Sequence, residues 1–191
     1  MTPAMGNGVA PTSSGPSYLP GTDMPRFLRD MMQFVGLADD DLAAIRRSAP
    51  LVLRHERSLT SALYDHFLKF SRSAQFFLGE DGAVDDARLE RRKHSLGRWL
   101  RESAEAALTQ EFSYYLLSVA LAHGHRGQPP GAIPPHLMIG AMSLTQTALA
   151  SVFAGELGAA DAAAASAAWN KLLLVQLSVF VLAYLPPRPV A

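Results

Sequence analysis

The chain has 191 residues, 49% of them apolar, with 17 basic side chains balancing 17 acidic ones and no cysteine. That length supports one domain with a substantial core. The balanced charge, with no basic run beyond Arg91-Arg92-Lys93, leaves no electrostatic footprint for nucleic acid. The missing cysteines exclude disulfides, thiolate catalysis, iron–sulfur clusters and cysteine-based zinc sites.

Met1 to Thr22 is rich in Pro, Gly and Ser and has no periodicity, so residues 1–22 read as a tail and 23–187 as the folded domain. No basic stretch followed by an apolar one opens the chain, so a secretory signal is not indicated and a cytoplasmic protein is expected. Pro25 suits the first turn of a short helix carrying Phe27, Leu28, Met31 and Phe34, ended by Gly36. Asp39 to Asp41 cap a second helix reaching about Arg47. Pro50 is expected to open a longer one that carries Leu63, Tyr64 and Phe67 to about Phe70. Ser71 to Leu78 forms a short helical piece, stopped by Gly79 and Asp81-Gly82. Asp85 and Asp86 cap a helix holding Leu89, Leu96, Trp99 and Leu100, and Thr109 caps the next, which ends at His123. Gly124 to Gly131 reads as a loop. Two long helices follow, about Pro134 to Ala154 and about Asp161 to Tyr184, before Pro186-Pro187. Leu172 to Leu185 is the most apolar stretch, but its 14 residues fall short of the ~20 a bilayer span needs, so it reads as a buried helix and no membrane is expected. Without repeats or strand patterns, the fold class is all-α.

Phe112, Leu116, Val119 and His123 are spaced by 4, 3 and 4, so an imidazole ends an apolar helical stripe. Tyr64, with Leu63 and Phe67, sits on another amphipathic helix. One imidazole and one phenol offered to an apolar space suit an axial haem ligand and a distal hydrogen-bond donor. The plainer alternative is a core histidine at a helix end. His125 competes as ligand but stands inside the Gly-rich loop, which favours His123. His55, His66 and His136 fall on polar faces or at a helix start, and His94 on a surface or helix–helix face. No Asp or Glu stands one turn from His123 to support a non-haem metal site.

Four stretches resemble the protoglobins, single-domain relatives of the globin domain in globin-coupled sensors. They are Ala62-Leu63-Tyr64-Asp65 with Phe76-Phe77 after it, Arg91 to Trp99, Val119 to Arg126, and Ala168-Trp169-Asn170-Lys171 before the apolar last helix. The resemblance implies a globin-like helical sandwich with an extra N-terminal helix, holding haem b. It makes His123 the proximal iron ligand and Tyr64 the distal residue. Leu63 and Leu96 stand where some relatives carry tryptophan and a bulky aromatic, which leaves more room above the iron. Phe67 and Val119 are expected beside the haem, together with either Met142 or Leu144. Arg91, Arg92 and Lys93 are candidate partners for its propionates. Implied partners are O2, CO or NO as ligand and a second copy of the chain, paired through the last two long helices. Two other classes compete: a haem protein that acts on nitrite, NO or peroxide or senses gas through a separate partner, and a haem-free helical interaction module.

Overall fold

The computed structural model describes residues 20–106, 109–124 and 131–185. Most of the expected tail, residues 125–130 of the expected loop with His125 among them, and Pro186-Pro187 lie outside them. Eight α-helices occupy the described residues: α1 (Met24–Phe34), α2 (Asp39–Arg54), α3 (Glu56–Leu68), α4 (Ser71–Ala74), α5 (Asp86–Ala106), α6 (Gln110–His123), α7 (Pro135–Glu156) and α8 (Ala159–Leu182). Pro20–Thr22, expected to end a tail without helix, form a 3-10 turn before α1. Leu78 and Val84 pair in an isolated antiparallel bridge between α4 and α5.

Local chemistry sets most helix ends. The Asp23 carboxylate accepts the Arg26 backbone N–H at 3.1 Å, and Gly36 leaves α1 at φ +64, a left-handed value that favours glycine. Asp41 accepts the Ala38 backbone N–H at 2.9 Å at the start of α2, and Thr109 Oγ1 accepts that of Phe112 at 3.2 Å at the start of α6.

Pro50 does not open a helix. It lies inside α2, which continues to Arg54. Its ring removes one backbone hydrogen bond, but Pro50 is on the exposed side, while Ala49, Leu51 and Val52 are buried around it. Packing of that face outweighs the local breaking tendency. The chain turns instead at His55, which ends α2 and precedes α3. Arg54 and His55 both engage Glu156 at the far end of α7, which ties this corner down.

The last helix organises the core. α8 packs against α1, α2, α6 and α7, and α5 lies across α2 and α3. Within α8, Trp169 Nε1 donates to Ser48 Oγ of α2 at 2.9 Å in the buried interior. Lys171 bridges Asp41 at 2.8 Å and the Gly36 carbonyl at 2.9 Å. Gln176, also buried, exchanges hydrogen bonds with Ser103 of α5. Both α7 and α8 are long and apolar enough, by length and composition, to cross a bilayer. The Ala-rich start from Ala159 makes α8 longer than the stretch the sequence singles out. Ten of its residues, from Ala162 to Phe180, are buried against neighbouring helices.

Candidate functional site

A cavity of about 710 Å³ opens where α3, α4 and α5 meet the end of α6 and the first half of α7. That volume lies in the ~300–1,000 Å³ range of cofactor and ligand sites. Leu63, Tyr64, Phe67, Leu96, His123 and Leu144 all line it. Val119 and Met142 do not. Two residues along a helix turn the side chain by ~200°, so with Leu144 on the cavity Met142 is carried into the main core. Val119 packs its side chain against that core and contributes to the site through its carbonyl.

His123 is held from several directions. Its Nδ1–H donates to the Val119 carbonyl one turn back at 2.7 Å. A carbonyl only accepts, so Nδ1 carries the proton and the neutral ring keeps its lone pair on Nε2. Phe180 of α8 meets the imidazole edge-on at 5.7 Å. The His123 carbonyl accepts the Ile133 backbone N–H at 2.8 Å and the Tyr184 hydroxyl at 3.4 Å. Burial lowers the His123 pKa from its ordinary 6.5. The Val119 bond opposes that shift, and the charge of Arg92 reinforces it. The imidazole is thus neutral near pH 7, as a metal ligand must be.

Tyr64 is 8% exposed. Phe67 and Phe77 clamp its ring edge-on at 5.6 and 5.4 Å. Its hydroxyl makes no hydrogen bond among the described residues. Burial pushes the phenol pKa up, partly offset by Arg92, so the group remains a donor.

The cavity wall is apolar apart from a few side chains, and its charged members are Lys69, Arg72 and Arg92. Every Asp and Glu side chain of the protein lies within the described residues, and none lines the cavity. Of the basic run at 91–93, only Arg92 reaches it; Arg91 is exposed and Lys93 pairs with Glu90 at 2.9 Å. His66, expected on a polar face, also lines the cavity, its ring against Phe70 at 5.0 Å. His94 is exposed. No group of three or more His, Asp or Glu among the described residues could hold a metal ion. A largely apolar cavity with the neutral His123 imidazole, cations suited to two carboxylates and no acid on its wall fits a haem.

Gly124, Ile133, Phe180 and Tyr184 support His123 but are not singled out by the sequence. Gly124 carries a signal, since glycine, having no Cβ, is the residue that permits a close backbone approach.

Solved structures with the same architecture define the class. The globin domain of the Geobacter sulfurreducens globin-coupled sensor superposes with a TM-score of 0.65 at 15% identity, covering 81% of this chain and 95% of that one. The globin domain of E. coli DosC in its ferrous form II gives 0.65 at 16% identity, over 83% and 99% of the two chains. Its ferric form I gives 0.64. The fold is that of a globin domain. Within that class, the sequence profile of the Protoglobin family matches residues 25–188, and the chain belongs to that family. Membership implies a haem cofactor and haem-based gas binding. No curated protein sequence matches the chain significantly.

The support of His123 yields a prediction. A Cβ on Gly124 would lie 2.7 Å from the Ala183 carbonyl oxygen and 2.9 Å from its Cβ. Gly124→Ala is therefore expected to push the end of α6 off α8 and destabilise the fold by about 1–3 kcal/mol, as overpacking does. A urea unfolding midpoint equal to that of the parent would show that this contact adjusts without cost.

Proposed function

We propose that this protein is a b-type haem protein that reversibly binds O2, CO or NO, with His123 proximal and Tyr64 distal. The observation that carries the reading is the neutral His123 imidazole, its Nδ1–H fixed on the Val119 carbonyl, in one cavity with the Tyr64 hydroxyl. A bound haem would supply an iron that can take an imidazole and a diatomic gas as ligands. His123 offers Nε2 because the Val119 bond selects the tautomer and, with Phe180, orients the ring. Leu63, Phe67, Leu96 and Leu144 exclude water and pack apolar surface around the cofactor. Lys69 and Arg72, exposed at the α3–α4 corner, are placed for carboxylates at a solvent-facing edge. Tyr64 donates a hydrogen bond to a gas ligand that carries partial negative charge.

Part of the apolar surface is left over. Leu174 and Val181, seven residues apart on α8, are each 41% exposed, and Ile139 on α7 is 54% exposed. These positions support a homodimer built on the two longest helices.

Three outcomes follow. His123→Ala is expected to lose stoichiometric haem, with added imidazole restoring the absorption spectrum; if His125→Ala does this and His123→Ala does not, the ligand is misassigned. Tyr64→Phe removes only the hydroxyl. A hydrogen bond to a partly charged acceptor is worth about 1.5–3 kcal/mol, so O2 release should quicken roughly ten- to hundred-fold and CO release far less. Equal effects on both gases in stopped flow would mean that Tyr64 acts by shape. In sedimentation velocity at micromolar concentration the protein should run as a dimer, and a single monomeric boundary would remove that part of the reading.

A further inference from the structure

α5 carries six basic residues: Arg88, Arg91, Arg92, Lys93, Arg98 and Arg101. Four of them are matched with acids: Arg88 with Asp85, Lys93 with Glu90, Arg98 with Glu102, and Arg101 with Glu56. Arg91 is exposed to water. Arg92 differs from all of these. It is half-buried, lines the cavity with Leu96 one turn further on, and makes no ion pair among the described residues.

The surroundings of Arg92 offer it no counter-charge. Leu89, Arg92 and Leu96 share one stripe of α5 by their spacing of 3 and 4. Leu89 packs in the small cluster with Tyr64 and Phe77. A guanidinium set into an apolar stripe and partly withdrawn from water is costly unless an anion meets it. Its planar fork suits small anions with two acceptor atoms or a delocalised charge.

We propose that Arg92 makes the distal part of the cavity a binding site for a small free monovalent anion of the azide or nitrite class. The inference rests on the haem reading of the same cavity and adds a second kind of ligand to it. Two observations favour a free anion over a haem carboxylate as the partner of Arg92. Lys69 and Arg72 already stand at the exposed corner of the cavity, where carboxylates of a bound haem would find counter-charges beside solvent. Arg92 lines the cavity between Leu89, which packs with Tyr64 and Phe77, and Leu96, which places it on the Tyr64 side of the site.

The test is equilibrium titration of the oxidised, haem-loaded full chain with sodium azide, followed by the haem absorption spectrum. It compares the parent with Arg92→Leu and Arg92→Lys, and uses neutral imidazole as control ligand. Arg92→Leu is expected to weaken azide roughly ten- to hundred-fold, the worth of a hydrogen bond to a charged partner. Arg92→Lys should keep most of the affinity, and imidazole should change by no more than about three-fold, since it carries no charge for Arg92 to hold. Azide affinity of the parent should also fall with added salt. The proposal is overturned if azide binds Arg92→Leu as tightly as the parent. It is equally overturned if azide and imidazole weaken alike, which would make Arg92 a steric gate. Loss of haem affinity in Arg92→Leu with azide affinity unchanged would assign Arg92 to a propionate instead. Failure of the parent to take up haem one-to-one, visible before any azide is added, would sink the haem reading itself.

Discussion

The hydrogen bond from His123 Nδ1 to the Val119 carbonyl is the interaction on which the site depends. It is a local bond, one helical turn long, and it decides three properties at once. It fixes which nitrogen carries the proton, which way the ring turns, and which nitrogen keeps a lone pair. Such a bond forms only because α6 remains helical up to His123. That in turn requires the end of α6 to be seated on α8, where Gly124 lets the backbones come close and Phe180 meets the ring. The Ile133 N–H and the Tyr184 hydroxyl donate to the His123 carbonyl, which the end of the helix leaves without an intrahelical partner.

Charge is distributed unevenly in a chain whose totals cancel. Acids and bases elsewhere pair across helix surfaces, as Arg54 and His55 do with Glu156 and Lys171 with Asp41. The cavity gathers Lys69, Arg72 and Arg92 with no acid. Exposed pairs add little stability, but an unbalanced wall around a low-dielectric space selects the sign of its occupant. The charge of Arg92 acts on the two residues proposed for the gas site. It works with burial to keep His123 neutral, and against burial at Tyr64, where desolvation still prevails.

α8 shows how a stretch apolar enough for a bilayer serves as the core helix of a folded domain. Much of its apolar surface is directed inward at four neighbouring helices, and two of its polar side chains find partners in the buried interior. Gln176 bonds Ser103, and Trp169 bonds Ser48. Buried polar pairs of this kind lock the angle and register of one helix on another, because a slip would leave each group without a partner. Helix α7 buries fewer residues, which is why unpartnered apolar surface is left on that side of the molecule.

Local sequence rules were enough for the all-α class, nearly all the helices, the cap at Thr109, and the pairing of Tyr64 with His123 as the residues to examine. Each of these rests on local rules: period, cap chemistry and the chain order that the family resemblance adds. Tertiary structure decided the rest. Pro50 was misread because its breaking tendency is local, whereas the burial of Ala49, Leu51 and Val52 that holds α2 together comes from other helices. The choice of Leu144 over Met142 needed the rotation of α7 about its axis, which packing sets. His66 and Arg92 look like members of solvated faces until α3, α4 and α5 close around a common space. Periodicity can say which residues share a face of one helix, but only the assembled helices say what that face meets.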